Sequence, residues 1–146
     1  MESIVTLVAR DHRQVASDLA ALTKPRVVVM VLVTTLVGYD LGLSGSADYR
    51  RMIHLLIGTL LAAGGTLALN QYWERDIDAR MDRTRARPLP AGRLQPLEAL
   101  LFGVALTLLG TAYLAALVGA LVALVTAATA ILYLPLLLGL LAFDRR

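Results

Sequence analysis

Asn70, Glu74, Asp78 and Asp82 recur at every fourth position. On a helix of about 3.6 residues per turn such positions share a face, drifting by about 40° per step. If the segment is helical, one amide and three carboxylates stack along a single stripe. Like charges at that spacing repel by roughly a few tenths of a kcal/mol per pair, so something must offset them. A divalent cation is the economical candidate: Mg²⁺ takes oxygen ligands and is commonly held by one or two carboxylates together with substrate phosphates. Glu74, Asp78 and Asp82 are the candidate metal ligands. The following residues, 83–93, read RTRARPLPAGR. The planar fork of arginine matches phosphate oxygens in pairs, so a carboxylate stripe beside this loop suits a metal-bound diphosphate. Pro88 and Pro90 restrict the residues before them and stiffen the loop. The competing reading is a solvated loop, whose acids and arginines pair in water for about 0–1 kcal/mol each. Asn70 favours the chemical reading, because a polar amide near the end of a hydrophobic run is a functional hint by default.

The elements that must position these residues are hydrophobic helices. Of 146 residues, 58% are hydrophobic and 17% charged, with a mean hydropathy of +0.68. A soluble domain carries about a quarter charged residues, and one small core cannot hide this much apolar surface. The predicted fold is therefore an all-α integral membrane helix bundle. Roughly 20 apolar residues cross a bilayer. Four stretches qualify, at about 26–43, 52–73, 96–118 and 120–143. Pro25 and Pro96 suit first helical turns, where a missing N–H goes unused. Gly119 is the expected tight turn between the last two spans. Gly58, Ala62 and Gly65 share a face of the second span and predict close helix packing.

Residues 1–22 read as a cytoplasmic arm or surface helix, and 23–146 as the transmembrane domain. The N-terminus does not read as a secretory signal, since Arg10 and Arg13 follow a short apolar stretch without a cleavage pattern. The absence of cysteine excludes disulfides, thiolate metal sites and a cysteine nucleophile. The net charge of +3 is modest, and no nucleic-acid partner is expected. Of the 14 Lys and Arg residues, only Arg50 and Arg51 fall on the side opposite the 74–95 loop. Basic loops stay cytoplasmic. The expected placement is a multi-pass protein of the cell membrane with both termini and the 74–95 loop in the cytoplasm.

Four segments carry a resemblance: LTKPR at 22–26, VTTLVGY at 33–39, NQYWERDID at 70–78 and RTRARPLPAGRL at 83–94. Together they resemble the UbiA-type intramembrane prenyltransferases, in the branch that farnesylates protoheme IX, over about residues 20–135. The resemblance implies a partial UbiA-type fold of about four transmembrane helices and transfer of a farnesyl group from farnesyl diphosphate to protoheme IX, giving heme O. It implies that Asn70, Glu74 and Asp78 organise Mg²⁺ and diphosphate, and that Arg85, Arg87 and Lys24 contact phosphate oxygens. A quinone-precursor ring is the alternative acceptor within the family. The family also has a second acidic motif in a later half, and after Asp82 this chain holds only Glu98 and Asp144 as acids. Three readings follow: a truncated prenyltransferase, a half that completes itself by self-association or with a separate second half, and a non-catalytic membrane interaction subunit.

The remaining notable residues are expected to be structural. His54 is read as a satisfied or solvated histidine, with heme ligation as the alternative, and His12 has no visible partner. Tyr72 and Trp73 are read as interfacial belt aromatics. Tyr133 and Pro135 are expected to mark a kink.

Overall fold

The computed structural model describes the backbone of residues 11–144 and the side chains of residues 11–133. Among the described residues five helices follow one another: α1 (His12–Leu22), α2 (Pro25–Leu41), α3 (Tyr49–Asp78), α4 (Pro96–Leu117) and α5 (Ala120–Asp144). No strand occurs among the described residues, so the all-α expectation holds.

Local chemistry sets the helix ends. The Asp11 carboxylate accepts the Arg13 N–H at 3.0 Å and caps α1. Asp48 accepts the Arg51 N–H at 3.1 Å and caps α3. At the start of α4, Pro96 takes the first turn and Glu98 reaches back to the Gln95 N–H at 2.9 Å. Such contacts satisfy donors that a helix start leaves without partners. Gly119, with φ +153°, makes the turn into α5, as expected. The uncharged turn gains a charge from elsewhere: Arg51 Nη2 donates to the Val118 carbonyl at 2.7 Å, at the C-terminal end of α4.

The bundle is built on α3 and α4, which pack antiparallel in register. Gly58 faces Leu114, Ala62 faces Gly110, Gly65 faces Thr107 and Leu69 faces Gly103. A Cβ on Gly65 would lie 2.5 Å from the Thr107 nitrogen. The small face predicted on the second span is thus the helix–helix seam, and it serves packing.

Helix α3 has 30 residues, about 45 Å at 1.5 Å per residue. That exceeds a hydrocarbon thickness of roughly 30 Å, so part of α3 extends beyond a bilayer's apolar core. Helices α3 and α4 are each long and apolar enough to cross a membrane. Helices α1 and α2, bent by 48° at the break between them, together make a third candidate, since α2 alone has 17 residues. The described side chains of α5 form a shorter apolar run, Ala120–Tyr133. The kink expected at Pro135 lies outside the residues whose side chains are described, as do Arg10 and the last two arginines.

Residues 12–22 form a helix that packs on the bundle. Leu22 is fully buried in a cluster with Ala68, Leu89, Leu94 and Ala99, and Val15 and Leu19 pack against it. Asp18 is buried too, and its carboxylate receives Arg93 Nε at 3.3 Å. Helix α1 therefore docks on the same end of the bundle as the 79–95 connection.

Candidate functional site

The continuation of helix past Trp73 is present: α3 runs unbroken to Asp78. Asn70, Glu74 and Asp78 thus lie along one stripe at the end of a long helix. Asp82 does not join them. The helix stops at Asp78, the chain turns through Ala79, and Thr84 Oγ1 donates to the Asp78 carbonyl at 2.8 Å. This hydroxyl satisfies a carbonyl that the helix end leaves open, and it starts a loop that folds back. Pro88, Leu89 and Leu94 are buried, the two leucines within the α1 cluster, and Gly92 (φ +73°) makes the reversal between them. The helical four-residue spacing therefore stops at Asp78 and does not extend to Asp82.

The fold-back brings cations to two of the three stripe residues. Arg87 Nη1 lies 2.6 Å from Asp78 Oδ2, with the Asp78 side chain 8% exposed. Lys24 Nζ lies 3.8 Å from Glu74 Oε2. Lys24 comes from the break between α1 and α2, where its backbone takes a left-handed conformation (φ 48°). For a residue with a side chain this costs of order 1–3 kcal/mol. Arg85 stays apart from these pairs: it meets Asp82 at 3.1 Å, and both side chains are largely in solvent.

Asn70 is the least explained of the three. It is 2% exposed, and its Oδ1 has no hydrogen-bond partner. A buried acceptor without a partner costs about 1–3 kcal/mol. One amide oxygen and two carboxylates form an oxygen donor set suited to a hard cation such as Mg²⁺. Among the described residues no group of three or more acids and histidines could hold a metal alone.

Several contributors had no evident signal in the sequence. Gln71, 4% exposed, donates from Nε2 to the Leu22 carbonyl at 3.1 Å and to the Ala21 carbonyl at 3.4 Å. Nothing distinguishes it in sequence beyond its place next to Asn70. Asp18 offered a weak signal, as an acid in a run of small and apolar residues. The Arg75 guanidinium lies 4.5 Å above the Tyr72 ring, a cation–π arrangement. Trp73 is half-exposed and edge-on to Tyr72. His54, read as satisfied, shares a 2.7 Å hydrogen bond between Nδ1 and Tyr113 Oη.

An apolar groove of about 350 Å³ opens between α2, α3 and α5. Val27, Val31, Thr59, Thr66, Leu67 and Tyr133 are among its walls. Leu67 lies one turn before Asn70, so the groove runs along α3 toward the polar stripe.

The bundle is thus a set of apolar helices that carry an amide, acids and paired cations at one end. The sequence profile of the UbiA prenyltransferase family matches residues 31–136, and the chain belongs to that family. It is similar to curated proteins named protoheme IX farnesyltransferase. The one from Solibacter usitatus is 46% identical over 102 residues, covering 64% of this chain and 35% of that protein. One from Pseudomonas putida is 44% identical over 124 residues, covering 85% and 42%. That of Synechococcus elongatus is 50% identical over 88 residues, covering 60% and 28%. The chain thus spans 28 to 42% of the length of these relatives. No solved structure matches it.

Proposed function

We propose that this chain carries the diphosphate-binding half of a prenyltransferase that moves a farnesyl group from farnesyl diphosphate to protoheme IX. The observation that carries the reading is the buried, partnerless Asn70 Oδ1 in line with ion-paired Glu74 and Asp78. The names of the relatives give the transferred group and the acceptor.

Asn70, Glu74 and Asp78 would hold Mg²⁺ together with the diphosphate; Asp82, beyond the end of α3, would not take part. When bound, the ion supplies charge that stabilises the departing diphosphate. Lys24 and Arg87 already sit against these acids. A shift of each cation from carboxylate to phosphate would follow the incoming charge. Arg85, exposed on the loop, would add a further phosphate contact.

As the carbon–oxygen bond of the donor breaks, negative charge builds on the diphosphate, and fixed cations there lower the barrier. The farnesyl chain would lie in the apolar groove beside Leu67, whose volume falls within the usual range for small-molecule sites. Those walls would exclude water from the allylic cation until a vinyl carbon of protoheme captures it. Water then adds, a proton leaves, and heme O results. We place the site on the cytoplasmic side of the cell membrane, following the basic residues.

A chimera tests this. The matching 124 residues of the Pseudomonas putida relative are exchanged for those of this chain and the product is expressed in membranes. Farnesylated heme is expected, and it should vanish with Asp78→Asn. A chimera that inserts normally yet makes no farnesylated heme, beside an active parent, contradicts the proposal. A farnesylated aromatic ring in its place would redirect the acceptor to a quinone precursor.

A further inference from the structure

Lys24 is the only lysine of the chain. It is also the one non-glycine residue with positive φ among the described residues. Such a backbone persists only where the surroundings over-determine it. Three contacts do so here. Leu22 is anchored in the buried cluster with Ala68 and Leu94. The Thr23 side chain sits over Gly64, where an added Cβ would meet it at 3.4 Å. Gln71 Nε2 holds the Leu22 and Ala21 carbonyls. These carbonyls lie in the last turn of α1; that of Ala21 also accepts the Lys24 N–H at 3.3 Å, so the Leu22 carbonyl is the main hold. Gly64 and Gln71 are seven residues apart, and Glu74 is three further on, so one face of α3 carries all three.

We propose that Gln71 is a positioning residue: by clamping the end of α1 it fixes the elbow between α1 and α2, and so holds the Lys24 amine against Glu74. Glu74 alone cannot do this, since the pair is 3.8 Å long and about a quarter exposed on each side, a geometry that contributes little by itself. The clamp converts a loose pair into a fixed one. Its consequence for diphosphate binding rests on the function proposed above, whereas its geometric content does not.

The test uses the full chain purified in detergent. Acetylation of Lys24 by an amine-reactive ester is followed by peptide mass spectrometry, which separates it from the N-terminal amine. Gln71→Met removes the donor, and Gln71→Glu keeps the shape while placing an acceptor against the two carbonyls. Helical circular dichroism checks that each variant folds. Both are expected to raise the acetylation rate about fivefold, the size of effect expected from losing one net hydrogen bond. An unchanged rate in a folded variant overturns the proposal.

Mg²⁺-dependent farnesyl diphosphate binding is then measured in a double-mutant cycle. Gln71→Met should weaken binding about fivefold when Lys24 is present, with no further loss in a Lys24→Met background. Equal losses in both backgrounds would assign Gln71 to general packing and overturn its positioning role. If the unaltered chain binds no farnesyl diphosphate, the function proposed above fails, and the acetylation rate still decides for or against the clamp.

Discussion

Asp78 and Arg87 form the tightest ion pair of the site, at 2.6 Å with Asp78 nearly enclosed. Removing one partner of a buried pair leaves the other uncompensated. Arg87→Ala is therefore expected to lower stability by about 3 kcal/mol, the low end for a buried pair because Arg87 is partly exposed, read from thermal unfolding in detergent. Arg85→Ala, which breaks a solvent-exposed pair, should change it by less than about 1 kcal/mol. Asp82→Asn should leave Mg²⁺-dependent farnesyl diphosphate affinity within about twofold, because exposed pairs contribute little; a tenfold loss would return Asp82 to the metal set. Lys24 separates backbone from charge. Lys24→Gly relieves the left-handed conformation, whereas Lys24→Ala keeps its strain, so Gly should be the more stable by about 1 kcal/mol. Both should weaken diphosphate binding, since both lose the amine. At this scale the Asn70, Glu74 and Asp78 stripe follows from residue type and helical spacing. The role of Gln71 does not, because it depends on carbonyls about 50 positions away, which no local pattern records.

Helix α3 sets the site by its length and by its seam with α4. The seam pairs small residues on one helix with side chains or backbone of the other, so bulk there has nowhere to go. Gly65→Leu would press on the Thr107 backbone and is expected to cost more than about 2 kcal/mol, seen as a lower unfolding temperature in detergent. Gly38, beside which nothing lies within 4 Å, is the control: Gly38→Ala should be neutral or mildly stabilising. Element boundaries were legible where residue chemistry marks them: Pro25, Pro96 and Gly119 fall at helix starts and at the turn. The end of α3 was not. A regular spacing of acids continues through Asp82, while Thr84 and the buried Leu89 and Leu94 pull the chain away from the helix. Loop closure by tertiary packing overrode the local period.

Over the whole molecule, the helix ends sort into two layers. One holds Asp18, Lys24, Glu74, Asp78, Arg87 and Arg93. The other holds Arg51 and the Val118–Gly119 turn. Together with the charge asymmetry of the sequence, this leads us to propose a definite topology. The chain lacks cysteine, so Ser46→Cys and Ala91→Cys provide single labels at exposed positions in opposite layers. In intact cells an impermeant thiol reagent should reach Ser46→Cys alone, and after lysis both. Labelling of Ala91→Cys in intact cells would invert the orientation. The membrane class was legible from composition, because apolar content exceeds what one core can bury. The docking of α1 was not, since only Asp18 and the spacing of Val15, Leu19 and Leu22 hint at a buried face.

The central claim is that Asn70, Glu74 and Asp78 form a metal-assisted diphosphate site. It is tested most directly by the affinity of the purified chain for farnesyl diphosphate with and without Mg²⁺, beside Asp78→Asn. Binding that requires Mg²⁺ and falls at least about tenfold in Asp78→Asn is the predicted result, in line with losing a charged interaction of about 1.5–3 kcal/mol. Binding of equal strength without Mg²⁺ or in Asp78→Asn, or no binding at all, would contradict it.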